Sequence, residues 1–194
     1  MAGMDGLEKI FGSAARVKVL RLFLFNPRQS FTLADIAERS RVGEAEVRRE
    51  ITTLQHAQMV ERSTRGKGVR FILSSKFAYT AAMQNLLLNA PKRANDIVKR
   101  LRGVGTLRMI ILSGIFMGEW DEGLDILLIG DKVKERQLRE RIRSLEAEIG
   151  KEIRYALLSS ENFYYRLNMN DKLVRDVIDY PHSIVLDRLN IGLK

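Results

Sequence analysis

Between Ser113 and Gly130 the sequence reads SGIFMGEWDEGLDILLIG: a loop with glycines at 114 and 118, an acidic pair Asp121-Glu122, and an apolar run holding one acid, Asp125. The combination looks like the phosphate-and-metal corner of a nucleotide-handling enzyme. Such chemistry holds two metal ions on carboxylates that share one face of a strand, and the alternation of side chains lets only i and i+2 converge. Asp125 can fill one of these places, but the other is Gly123. Glu122 points to the opposite face of a regular strand, and Asp121 lies on the right face but about 7 Å further along. A lone Asp125 cannot hold two magnesium ions, which bind through several oxygens. The chain has no cysteine, and its two histidines, His56 and His182, lie far apart. Thiol nucleophiles, disulfides and cysteine zinc sites are excluded, and a histidine metal site is not expected. The expectation is no catalytic set, no metal and no cofactor.

The elements that would carry this corner follow from periodicity. LRMIILSG, GLDILLIG and KEIRYALLS are apolar runs of strand length. Between the second and third, DKVKERQLRERIRSLEAEIG puts Val133, Leu138, Ile142, Leu145 and Ile149 on one side of a helix that Gly150 ends. ENFYYRLNMNDKLVRDVIDYP adds one or two short helices and HSIVLDRL a last extended stretch. Strand, strand, helix, strand makes a small α/β layer.

Charge divides the chain. Residues 1 to 104 hold 19 Lys+Arg and 9 Asp+Glu, a net of +10, whereas residues 105 to 194 hold 14 and 15, a net of −1. A one-sign field on one half suits a phosphate backbone, since each neutralised phosphate releases counterions. The longest apolar stretch is about half the length of a membrane span. With no signal segment at the start, a cytoplasmic protein without membrane contact is expected.

In the basic half, Leu7, Ile10, Phe11, Ala14, Val17, Leu20 and Leu24 recur near a period of 3.6 and predict one amphipathic helix ahead of Pro27. Thr32 and Asp35 start a second, short helix that stops near residues 41 to 43. The third helix buries Val47, Ile51 and Leu54, while Ala45, Arg49, Thr52, Thr53 and His56 face the other way with Arg48 on the flank. Arginine takes guanine edges bidentately, and threonine hydroxyls suit phosphate or base contacts. Glu44, Glu46 and Glu50 lower the positive potential of this helix, unless they accept from cytosine or pair with neighbouring arginines. MVERSTRGKGVRFILS then alternates about a Gly-Lys-Gly turn, a hairpin bearing Arg62, Arg65, Lys67 and Arg70. Helical segments at Tyr79 to Leu88 and Lys92 to Arg102 follow.

The order of three helices and a basic hairpin, carried by ADIAERSRVGEAEVRREITTLQHAQMVERS, resembles the winged-helix DNA-binding domains of arsenical-repressor and multiple-antibiotic-resistance type regulators, over about residues 7 to 76. The resemblance implies that the third helix enters the major groove, with Arg48, Arg49, Thr52 and Thr53 facing DNA. It also implies a wing whose Arg62, Arg65, Lys67 and Arg70 touch backbone or minor groove. The second half, about residues 104 to 188, resembles the minimal nucleotidyltransferase domains of the polymerase-beta superfamily. That likeness implies a nucleotide site at Ser113, Gly114, Asp121 and Asp125, with three departures. Ser113-Gly114 stands where the family has Gly-Ser, one paired carboxylate is replaced by Gly123, and the later strand offers Arg154 where a third acid is due, with Glu152 at its edge the only substitute. The frame is retained without the chemistry.

The expected fold class is α/β (α+β): a winged helix-turn-helix at residues 1–76, linking or dimerising helices at 77–103, and a small nucleotidyltransferase-like domain at 104–194. The expected function is a DNA-binding transcriptional regulator that binds double-stranded DNA as a homodimer. Helices 7–24 and 79–88 are the dimer candidates, with packing inside the monomer the alternative. The second half would sense a small-molecule or nucleotide effector, bind a protein or assist assembly. An active nucleotidyltransferase and an antitoxin-like interaction module are the rival readings.

Overall fold

The computed structural model describes residues 6–64, 68–88, 94–119 and 123–192 of the 194-residue chain. The fold mixes helix and sheet and divides into two compact units: Met1–Lys92 with Arg143–Glu152, and Arg93–Ile142 with Ile153–Lys194.

Unit 1 begins with two helices where periodicity predicts one, α1 (Gly6–Phe11) and α2 (Ala14–Leu24). Gly12 adopts a φ of 86°, and the Ser13 hydroxyl accepts from the Arg16 N–H at 2.9 Å. The serine thus satisfies an orphan donor of a new helix start and divides the stripe in two. α2 is buried almost all round, from Val17, Val19 and Leu20 to Leu22, Phe23 and Leu24, so it is the centre of the unit rather than one of its faces.

α3 (Leu33–Ser40) starts in a capping box: the Thr32 N–H donates to Asp35 Oδ2 at 2.8 Å, and the Asp35 N–H donates back to Thr32 Oγ1 at 3.1 Å. It ends on Arg41 in the left-handed region. α4 (Glu44–His56) then seats Val47, Ile51 and Leu54 in the core. β1 (Val60–Ser63) and β2 (Arg70–Leu73) pair antiparallel with Val60 opposite Leu73. Phe31 adds an isolated bridge to Phe71, exchanging two backbone hydrogen bonds of 2.8 Å. α5 (Thr80–Leu88) docks through buried Leu87 and through Gln84, whose amide donates to the Leu24 carbonyl at 2.6 Å.

Residues 143–152 complete unit 1. Arg21 Nη1 donates to the Glu148 carbonyl at 2.9 Å, and the Asn26 amide donates to the Gly150 carbonyl at 2.7 Å. Gly150 has a φ of 81°, and a Cβ there would stand 2.5 Å from the Arg21 carbonyl carbon. Only glycine permits that approach.

Unit 2 is built on a four-stranded sheet of order β5-β4-β3-β6, formed by β3 (Thr106–Leu112), β4 (Ile126–Asp131), β5 (Tyr155–Leu158) and β6 (Ser183–Asp187). β3 pairs antiparallel with β4 and β6, while β4 and β5 run parallel. The parallel pair requires a crossover, supplied by α7 (Glu135–Ile149), whose last residues are those counted with unit 1. The inner strands read as continuous apolar runs because both faces are covered: Met109 to Leu112 and Ile126 to Ile129 are all buried. α8 (Ser160–Asn168) and α9 (Lys172–Ile178) close one face, with Phe163, Val174 and Val177 against Met109, Ile111, Leu127 and Ile129. α6 (Ala94–Arg100) precedes the sheet. Among the described residues no helix is long and apolar enough to cross a membrane.

Candidate functional site

The exposed side of α4 carries Ala45, Arg48, Arg49, Thr52, Thr53 and His56. Arg48 Nη2 lies 2.6 Å from Glu44 Oε1. The hydroxyls of Thr52 and Thr53 donate to the carbonyls of Arg48 and Arg49, at 3.0 and 3.1 Å, which fixes their rotamers and leaves their lone pairs outward as acceptors.

Glu50 is on the opposite side. It is 6% exposed, accepts from Arg16 Nε at 2.7 Å and from Ser13 Oγ at 3.3 Å, and so cancels against a cation inside the unit. The expectation that Glu50 weakens the outer field is thereby corrected: of the three acids, Glu44 is paired with Arg48 and Glu50 is turned away.

The hairpin residues have different surroundings. Arg62 is exposed on β1, opposite Phe71. Arg65 and Lys67 lie outside the described residues. Arg70 is drawn onto the start of α3: its Nε donates to Ser30 Oγ at 3.0 Å, and its Nη2 donates to the Ser30 carbonyl at 2.6 Å and to Asp35 Oδ2 at 3.2 Å. Asp35 is held below the ordinary carboxylate range, first by the Thr32 backbone N–H and also by the Thr32 hydroxyl and the cations Arg70 and Arg39.

In unit 2 the residues quoted first converge, with one outside view. Asp121 lies beyond the described residues. Ser113 follows β3, donates its hydroxyl to the Leu124 carbonyl, and its N–H reaches the Asp125 carbonyl at 2.9 Å. Asp125 is wholly buried. Its Oδ1 accepts from the Ile115 N–H at 3.1 Å and from Arg154 Nη2 at 2.9 Å; its Oδ2 accepts from the Arg154 N–H at 2.8 Å and from Arg154 Nε at 3.0 Å. Four donors occupy the roughly four lone-pair sites of a carboxylate. The bidentate guanidinium is a cation on the oxygens that a metal ion would need.

Gly114, at a φ of 51°, completes the closure, because a Cβ there would collide with Asp125 Oδ1. This glycine serves the packing of the carboxylate. Glu152, the substitute acid expected at the strand edge, is instead 2.6 Å from Arg39 in unit 1. Among the described residues no three His, Cys, Asp or Glu side chains converge as a metal site.

Sequence reading noted Arg154 only as an acid that is absent. The signal that could have found the pair is elementary: an acid in a fully apolar strand needs a cation, and Arg154 adjoins the strand that follows the crossover.

Compared with known proteins, the chain matches no family model, no curated protein and no solved structure.

Proposed function

We propose that this chain is a cytoplasmic, sequence-specific DNA-binding transcriptional regulator. Unit 1 is a winged helix-turn-helix, and unit 2 is a nucleotidyltransferase-like frame that does no catalysis. One observation carries the reading: α4 turns Arg48, Arg49, Thr52 and Thr53 outward together while its most awkward acid, Glu50, is neutralised inside. A helix of this kind, next to a hairpin carrying Arg62, Arg65 and Lys67, has the donors that base edges and phosphates accept. Arg70 is the weakest member of the proposed set, since its guanidinium clamps Ser30 and Asp35.

For unit 2, the saturation of Asp125 by Arg154 and two backbone N–H groups argues against nucleotidyl transfer and favours a role as sensor or interaction domain. A small molecule or nucleotide is then an effector rather than a substrate. Homodimerisation is supported by α5, TAAMQNLLL, which holds no charge in a half of net +10, and by the exposure of Ile10, Tyr79 and Leu86.

The test is genomic footprinting with purified protein, followed by affinity measurements on the recovered site. Arg49→Ala is expected to cost about 1–3 kcal/mol on that site and little on random duplex. Equal affinity for random DNA and for every genomic fragment, across salt concentrations, would sink the proposal. So would magnesium-dependent transfer from a nucleoside triphosphate that Asp125→Ala abolishes.

A further inference from the structure

One side of the unit 2 sheet is left open. β5 is an edge strand whose four residues are all part exposed, whereas the first five residues of β4 beside it are buried. The Ile126 N–H donates to the Arg154 carbonyl at 3.1 Å, so the backbone of Arg154 is turned toward β4. Backbone groups alternate in direction along a strand. Ala156 and Leu158 therefore bond inward as well, and the N–H and C=O of Tyr155 and Leu157 point away from the sheet. Among the described residues these four outward groups have no hydrogen-bond partner.

Folded proteins blunt such edges with charge, proline or a bulge. β6, the opposite edge, carries a register shift in its pairing with Ile110 and Ile111 and ends on Asp187. β5 has neither protection: its sequence YALL holds no charge and no proline, and it pairs with β4 without a register shift. Shortness is the device it keeps, which limits any contact to a few hydrogen bonds. Ala156 and Leu158 lean on the core beneath α8 and α9, so Tyr155 and Leu157 share the other face. The neighbouring cation, Arg154, is neutralised by Asp125 at 2.9 Å. Outward donors and acceptors at this spacing are matched by another extended backbone.

We infer that β5 pairs antiparallel with β5 of a second copy of this chain. The strand is complementary to itself. A two-fold axis that joins two edges into one sheet stands perpendicular to it, so residues of the same face oppose each other. With the axis through Ala156, Tyr155 opposes Leu157 of the second copy and Leu157 opposes its Tyr155. Both outward residues of each copy then sit in hydrogen-bonded pairs, which makes four bonds. An axis through Leu157 sets Tyr155 against Ser159, whose carbonyl already accepts from the Phe163 N–H at 2.9 Å. An axis through Tyr155 sets Leu157 against Ile153, which lies outside the strand. The Ala156 arrangement also keeps the two Arg154 residues about 13 Å apart along the strands, each beside its own Asp125, so no like charges meet. It covers apolar side chains that one copy leaves part exposed. The contact lies within unit 2, separate from α5, and does not depend on DNA binding.

The chain has no cysteine, so single cysteines in the full chain report the pairing. Ala156→Cys sets two thiols opposite each other in a non-hydrogen-bonded pair, with Cα atoms about 4.5 Å apart and within disulfide reach. Leu158→Cys lies on the same face but opposes Arg154 of the second copy, which leaves its two thiols too far apart to join. Under mild oxidation the Ala156→Cys chain is expected to form disulfide-linked dimers at least about tenfold faster than the Leu158→Cys chain. Adding Leu157→Pro to Ala156→Cys removes an outward N–H and spares the β4 ladder, and linkage is expected to fall to the Leu158→Cys rate. Thermal unfolding checks that each variant is folded; should the proline variant not fold, the comparison of the two single cysteines decides. Equal linkage at the two positions, or linkage that Leu157→Pro leaves unchanged in a folded chain, signals chance collision and overturns the inference. So does a folded Ala156→Cys chain that stays single, or one that links to a foreign protein in a cell lysate instead of to its own copy. None of these outcomes alters the footprinting test of unit 1.

Discussion

Arg154→Met removes the guanidinium and keeps most of the aliphatic stem. Asp125 would retain two donors of its four, the N–H groups of Ile115 and of residue 154 itself, and would lose its counter-ion in a place with no solvent contact. Removing one partner of a buried ion pair costs about 3–5 kcal/mol, chiefly the penalty on the charge left behind. The Arg154 side chain is 38% exposed against 0% for Asp125, so water can enter where the guanidinium leaves, and the expected loss is at the low end, about 3 kcal/mol. For a unit of this size each kcal/mol moves the midpoint by about 4–8 °C, hence roughly 12–24 °C. Urea and thermal unfolding of the full chain, followed by far-ultraviolet circular dichroism, reads the shift. The companion Asp125→Asn/Arg154→Met has no charge to strand, and its loss should shrink to about 1–2 kcal/mol. A loss under about 1 kcal/mol in the single variant, or no recovery in the double, would refute the view that the arginine closes this corner.

Two further expectations concern unit 1. Arg70→Ala should lower stability by about 1–2 kcal/mol through its lost bonds to Ser30 and Asp35, while salt-dependent binding to random duplex changes by less than in Arg62→Ala; the opposite ranking would return Arg70 to the proposed DNA-contacting set. Asp35 is held below its unfolded value by the Thr32 N–H before any cation, so its contribution is fully present above the unfolded carboxylate range and is lost as pH falls through the lower folded value. Acid unfolding of unit 1 should therefore flatten below about pH 4 in Asp35→Asn, by no more than about 1 kcal/mol because the side chain is 40% exposed and screened by solvent. An unchanged acid limb would count against the capping box as a source of stability.

What could be read from the sequence was local. Thr32 and Asp35 sit three apart and define a capping box wherever a helix follows; Val47, Ile51 and Leu54 fix the inner side of α4; the unbroken apolar runs of β3 and β4 announce strands covered on both faces. The failures were each non-local or masked by a stronger pattern. The stripe from Leu7 to Leu24 continues smoothly through Gly12 and Ser13, so periodicity hid a break made by one hydroxyl. Glu50 points inward because Arg16, 34 positions earlier, waits for it, and no window on α4 contains that cation. Asp125 meets Arg154 only because β4 and β5 lie parallel across a long crossover: the Asp125 N–H donates to the Arg154 carbonyl at 2.7 Å, a registration that spacing alone does not supply.

Unit 1 takes its last ten residues, Arg143 to Glu152, from far downstream of the rest. A ribosome making the chain at about 5–20 residues per second finishes Lys92 some seconds before it delivers Gly150, the residue whose carbonyl the Asn26 amide needs and whose missing side chain lets the backbone of Arg21 come close. Unit 1 is therefore born unfinished. A protease or a wrong partner meets it in that interval with α2 only partly covered, and a gene fragment ending at Lys92 would make the interval permanent.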